Sequence, residues 1–180
     1  MILPIYAFGH AVLRRRAEDM PLRGEELQQF VADMWETMYN ASGIGLAAPQ
    51  VGKSWRLFVI DTLQASEDAG GIKGVFINPE IVETSAEEVE YEEGCLSIPD
   101  VYGSVWRPQR VRLRYMDEHL QWHERDFDGV AARVIQHEYD HLEGRLFTDL
   151  LKPLKRARIQ KKLDAIRKGK VKPRYPMLFP

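Results

Sequence analysis

Apolar positions recur at helical spacing near the start of the chain. Leu27, Phe30, Val31, Met34, Trp35, Met38 and Tyr39 follow i, i+3, i+4, i+7, i+8, i+11 and i+12, which predicts an amphipathic helix over 24–41. Glu25 and Glu26 fall in its first turn, where the helix dipole favours negative charge. The middle of the chain reads as strand instead. Residues 57–60 form a short apolar run, 61–74 a polar loop with a Gly-Gly pair, and 76–91 a stretch that begins apolar and turns acidic. Val111, Leu113 and Tyr115 alternate with Arg112 and Arg114, the pattern of a half-buried strand. A turn at Asp117-Glu118-His119 leads to another strand over 120–127. Short links without intervening helices favour antiparallel pairing. Asp128 and Gly144 then bracket a second helix as N-cap and C-cap, and a third helix follows Pro153, over 154–168. The order predicts an α+β fold: antiparallel sheets, an N-terminal amphipathic helix and a basic C-terminal helix. One domain is expected, with a body over 1–151 and a basic helix and tail over 152–180.

Composition narrows the class. The 180 residues are 44% hydrophobic and 29% charged, ordinary values for a globular protein, and no apolar run approaches a membrane span. The apolar start, residues 1–8, lacks the basic lead of a signal peptide, so a cytoplasmic location is expected. The one cysteine, Cys95, excludes an internal disulfide. The net charge of −2 conceals an asymmetry: from Lys152 to Arg174 there are 11 Lys/Arg and one acid, whereas residues 1–151 hold 14 basic and 26 acidic side chains. A basic helix is ordinarily a solvated face, but a basic tail on an acidic body raises a binding role.

The chemistry concentrates in three segments. His137-Glu138-Tyr139-Asp140-His141 is an HExxH sequence, whose histidines project from one helix face towards a single metal ion, with Glu138 within reach of a water there. A third ligand is needed. No histidine follows His141, and the only later glutamate, Glu143, lies two residues along the same helix, a poor geometry for the same ion. A lone cysteine is usually a small buried apolar residue, but beside an incomplete site Cys95, in Glu93-Gly94-Cys95-Leu96-Ser97, becomes a ligand candidate. It stands between the acidic strand and a loop containing Pro99. The third segment, Gly43-Ile44-Gly45-Leu46-Ala47-Ala48-Pro49-Gln50, satisfies G-x-G-x-x-A, yet it follows a helix rather than a strand and Pro49 would break the helix such a turn must open. Its glycines suit close approach of backbone to a ligand, with Gln50 offering an amide donor.

Together the three segments resemble the peptide deformylase family, whose GxGLAAxQ, EGCLS and QHExDHLxG motifs stand at 43–50, 93–97 and 136–144 in the same order. The likeness runs from about residue 2 to 163. It implies antiparallel sheets around a central metal-binding helix, and hydrolysis of the formyl group from N-formylmethionyl nascent chains. Carried over, it implies Cys95, His137 and His141 as metal ligands, Glu138 as general acid/base, and Gln50 with the Leu96 N–H as oxyanion donors. Fe(II) is the expected metal; Zn(II), Ni(II) or Co(II) suit the same mixed thiolate and imidazole set. Glu93 is implied as an orienting group. An arginine that pairs with this glutamate in some members has Tyr102 at its position, leaving Arg107 as the candidate partner. The substrate pocket is expected to be lined by Ile44, Gly45, Tyr91, Glu93, Gly94, Arg133 and Val134, with the Arg133 stem along the wall and its charge in water. By the same resemblance, Lys155, Arg156, Arg158, Lys161 and Lys162 suit docking on ribosomal RNA. The alternative is a zincin-like metallopeptidase, against which Cys95 and Gln50 discriminate. A non-catalytic metal-stabilised protein would not need Glu138. His10, His119 and His123 lack the spacing of a ligand set and are expected at the surface or in loops, and the four tryptophans in core or edge packing.

Overall fold

The computed structural model describes residues 1–65 and 70–180; residues 66–69 of the polar loop expected over 61–74 lie outside the described residues. Helix α1 spans Gly24–Asn40 and buries Leu27, Phe30, Val31, Met34 and Met38, the predicted face. Its aromatic end behaves differently. Tyr39 is exposed, stacks on Trp35, and donates a 2.5 Å hydrogen bond to Asp61, with the Lys73 ammonium over both rings.

A short strand β1, Ile5–Tyr6, precedes α1, and β2 (Gly45–Ala47), β3 (Leu57–Asp61) and β4 (Lys73–Thr84) follow it. Next come β5 (Glu88–Cys95), β6 (Ile98–Pro108), β7 (Arg110–Met116) and β8 (Trp122–Asp128). A five-stranded antiparallel sheet has the order β2-β3-β4-β7-β8, and β5-β6 form a separate antiparallel pair. The polar-to-apolar alternation of β7 is as expected: Val111, Leu113 and Tyr115 are buried in one cluster with Phe76, Phe127, Ala131 and Ile135.

Strand β6 corrects the expected loop around Pro99. Val101, Gly103, Val105 and Arg107 point inward while Tyr102, Ser104 and Trp106 point out. The period is two, but a glycine and an arginine occupy inward positions, so hydrophobicity alone conceals it. Gly103 is demanded by packing, since a Cβ there would lie 2.6 Å from the Leu151 side chain. Trp106 and Trp122 are exposed; Trp122 lies beneath Arg114 rather than in the core.

Helix α2, Gly129–Leu142, is the central element: ten of its 14 residues are buried, among them both polar and charged ones. Asp128 occupies the N-cap position, although its side chain makes no capping bond. Gly144 ends the helix with φ +74°, a left-handed conformation, and a Cβ there would meet the Arg14 carbonyl oxygen at 2.6 Å. Helix α3, Pro153–Arg167, packs Ile159, Leu163 and Ile166 against Phe147, Val105 and Phe8 and leaves its basic face outward. The tail then returns across the body as β9, Met177–Leu178, in parallel with β1.

Two of the histidines expected at the surface or in loops make specific contacts. His123 shares a 2.6 Å hydrogen bond with Asp117 and stacks on Tyr115, and the His10 Nε2 lies 3.0 Å from the Leu178 carbonyl oxygen. Both bonds connect groups that the spacing along the chain could not associate.

Candidate active site and metal centre

Two elements converge to make the site. Helix α2 places His137 and His141 one turn apart, with ring centroids 5.1 Å from each other. The β5–β6 hairpin turns at Leu96 and Ser97, which brings Cys95 against that helix face. The Cys95 Sγ lies 3.4 Å from His141 Nε2, and one ligand atom from each of Cys95, His137 and His141 lies within 4.8 Å of the others. Bond lengths of about 2.0–2.3 Å to one ion span such separations, so the donor set fits a metal.

The histidines are prepared for that role by different means. Glu93 accepts both Nε and Nη2 of Arg107, at 2.6 and 3.0 Å, and Nη1 of Arg133 at 2.8 Å. It also pairs with His137 Nδ1 at 2.8 Å, which leaves the opposite ring nitrogen for a ligand bond. Burial opposes the Glu93 charge, but the hydrogen bonds from His137 and Arg107 outweigh it and hold the carboxyl well below the usual range. Burial likewise opposes a charged His137, yet its bonds to Cys95 and Glu93 raise its pKa above the ordinary value. His141 is driven well below its ordinary value by burial and so is neutral, and its Nδ1 has no hydrogen-bond partner among the described residues.

Arg107 is thus the partner of Glu93, and it reaches Asp140 as well at 2.8 Å. Arg133 corrects an expectation. Its guanidinium does not reach water: it is buried, donating to Glu93 and to the carbonyls of Val105 and Val89 at 2.9 and 2.6 Å. A guanidinium under a two-stranded hairpin gains more from a carboxylate and two carbonyls than its stem could gain by extending. The group still borders the cavity, 5.6 Å from the Tyr91 ring centroid.

Glu138 is 3% exposed, and its Oε1 has no partner among the described residues. Burial pushes its pKa up to about 7, the range in which a carboxylate both accepts and returns a proton near neutral pH. Gly45 leaves room for it, since a Cβ on residue 45 would stand 2.8 Å from Glu138 Oε2 and 2.9 Å from Val134 Cγ1. Gln50, also buried, accepts the Ala47 N–H through Oε1 at 3.0 Å. That bond orients its amide nitrogen towards Ser97 Oγ at 3.2 Å and Cys95 Sγ at 3.5 Å.

These groups border one cavity of about 650 Å³. Ile44, Gly45, Tyr91, Glu93, Gly94, Arg133 and Val134 all line it, together with Gln50, Cys95, Leu96, His137 and Glu138, whereas His141 lies beneath its floor. Ile44 and Tyr91 are exposed at its mouth.

The profile of the polypeptide deformylase family matches residues 2–157. The chain belongs to that family. A peptide deformylase of Christiangramia forsetii is 46% identical across 100% of this chain and 97% of its own length. One of Cytophaga hutchinsonii is 48% identical over 100% and 98%. The crystal structure of a peptide deformylase from Legionella pneumophila superposes with a TM-score of 0.84 at 40% identity, covering 94% of this chain and 98% of that one. A Plasmodium falciparum peptide deformylase gives 0.85 at 37% identity, over 92% and 96%.

One wall of the cavity comes from beyond the residues the family profile matches. Pro173, Arg174 and Tyr175 line it, contributed by the tail. No motif marks them in the sequence; the only hint is the run of aromatic, apolar and proline residues over 175–180.

Proposed function

We propose that the protein is a metal-dependent amide hydrolase that removes the N-formyl group from N-formylmethionyl peptides and nascent chains. The observation that carries this is the unpartnered Glu138 oxygen near a Cys95, His137 and His141 cluster, with Glu138, Cys95, His137 and Gln50 all lining one cavity. Cys95, His137 and His141 would hold the ion, with Fe(II) the favoured occupant and Zn(II), Ni(II) or Co(II) able to use the same donors. When bound, the metal supplies Lewis acidity towards the formyl oxygen and makes water a nucleophile near neutral pH.

The chain's own groups do the rest. Glu138 takes the proton of the attacking water and returns it to the departing α-amine, converting amide to amine and formate. Gln50 Nε2 and the Leu96 N–H stabilise negative charge on the formyl oxygen. Glu93 keeps His137 in one tautomer and orientation. The methionine side chain enters between Ile44, Tyr91, Val134 and the Arg133 stem, with the backbone at Gly45 and Gly94 permitting close approach.

The third ligand candidate lies upstream, on a hairpin, which disfavours the zincin-like peptidase reading. Helix α3 supports ribosome docking through Lys155, Arg158, Lys161 and Lys162, which are exposed. Arg156 is partly committed to Thr148 and Asp149. No helix among the described residues is long and apolar enough to cross a membrane. The test is formate release from formyl-Met-Ala-Ser by the Fe(II)-loaded protein. No formate from the wild type, or equal formate from Glu138→Ala, overturns the proposal.

A further inference from the structure

The turn that carries Leu96 is held from outside the hairpin by the two ends of the chain. Tyr175 Oη donates to the Leu96 carbonyl at 2.6 Å, and the Phe8 N–H donates to the next carbonyl, Ser97, at 2.9 Å. Both donors belong to one small assembly. Strand β9 begins two residues after Tyr175 and pairs in parallel with β1, whose Ile5 N–H donates to the Pro176 carbonyl and whose neighbour Ala7 donates to that of Leu178, at 3.0 and 2.9 Å. Burial raises the Tyr175 phenol above its ordinary range, so it remains a donor.

Leu96 and Ser97 are the central residues of the turn linking Cys95 to Ile98. The internal bond of a β-turn runs from the fourth N–H to the first carbonyl, so it does not consume the N–H of the second residue, Leu96. What aims that N–H is the rotation of the Cys95–Leu96 peptide, which has only two soft dihedrals per residue to move in. Cys95 is fixed on one side by the ligand cluster. The carbonyls of Leu96 and Ser97 are fixed on the other by Tyr175 and Phe8.

We infer that Tyr175 is a positioning residue that aims the Leu96 N–H at the developing oxyanion, making the C-terminal segment a working wall of the active site. The inference rests on the deformylase reading and goes beyond it, because it gives a role to a tail residue that lies in none of the three motifs and past the residues the family profile matches. Tyr175 touches no reacting atom in this account; it acts through Leu96. Without its hydroxyl the turn keeps its covalent path and the Phe8 bond, but the Leu96 peptide gains freedom to rock away from the oxyanion.

The experiment compares wild type and Tyr175→Phe as full-length, Fe(II)-loaded proteins on formyl-Met-Ala-Ser. Metal content and melting temperature are measured on both. The expected result is a fall in kcat of about tenfold, with KM within about twofold, metal content equal and melting temperature close. With an N-thioformyl peptide the loss should shrink towards unity, because a developing sulfur anion is a weak hydrogen-bond acceptor. A variant as fast as an active wild type overturns the inference alone. So does a loss of metal or folding, or an equal kcat loss on both substrates, each of which assigns Tyr175 to structure. A wild type that releases no formate overturns the deformylase reading, and this inference with it.

Discussion

Glu93 Oε1 lies 2.8 Å from His137 Nδ1, and that bond ties the hairpin bearing Cys95 to the helix bearing both histidines. The same carboxylate forms ion pairs with two buried arginines, Arg107 and Arg133. Its charge and its geometry are therefore both in use. Glu93→Gln keeps a hydrogen-bond acceptor for His137 but removes the charge. It is expected to weaken metal affinity by about 10–100-fold, measured by competition with a chromogenic chelator. Glu93→Ala should be worse in a second way: it leaves Arg107 with Asp140 alone and Arg133 with carbonyls only, and a destabilisation of about 3–5 kcal/mol is expected in urea unfolding.

The two histidines of the candidate metal centre were legible because their spacing is local: an i, i+4 pair on one helix face can be read without knowing the fold. Cys95 could be nominated only because HExxH lacked a third donor. What sequence could not supply was pairing over long separations. Arg133 looked like a stem with a solvated charge because its acceptors, Glu93, Val89 and Val105, lie 28 to 44 residues away. Strand β6 escaped notice because Gly103 and Arg107 fill inward positions, one for want of space and the other for its carboxylates. The tail escaped because β1 and β9 are two residues each and stand at opposite ends of the chain.

Gly45 separates a spatial requirement from a chemical one. Its substitution leaves every proposed ligand and donor in place, yet a Cβ would collide with Glu138 Oε2 at 2.8 Å and Val134 Cγ1 at 2.9 Å. Gly45→Ala is expected to push the base aside and lower kcat by about 100-fold. Metal content should stay at the wild-type level in elemental analysis. Retained activity would show that Glu138 has room to shift without cost.

Acid should loosen the junction between the N-terminal segment and the start of the basic helix. Burial opposes the Asp149 charge, but the bond from Arg14, at 2.6 Å, and that from the Leu146 N–H, at 3.0 Å, hold its pKa below the ordinary aspartate range. A depressed folded-state pKa contributes stability above the unfolded value, and that contribution is lost as pH falls through the folded one. Asp149→Asn should therefore be less stable than wild type near neutrality, and the gap should close below about pH 4. Melting temperatures from pH 3 to 7 check this. A gap that stays constant across the range would exclude Asp149 as its source.

Testing the basic helix by deletion would confuse two roles. Ile159, Leu163 and Ile166 are buried against Phe8, Val105 and Phe147, and the tail that follows supplies β9 and the Tyr175 bond. Removing residues after Leu151 is expected to unfold the protein whatever it binds. Reversing charge on the outward face avoids this, since Lys155, Arg158, Lys161 and Lys162 are all exposed. Replacing these four by glutamate should leave formate release and melting temperature near wild type, because exposed charges contribute little to stability. Affinity for ribosomes at low salt should fall, and the wild type's own affinity should weaken steeply as salt rises, since each phosphate contact contributes close to one to the logarithmic salt slope. Equal ribosome affinity for the wild type and the fourfold variant in low-salt sedimentation would remove α3 as the docking element.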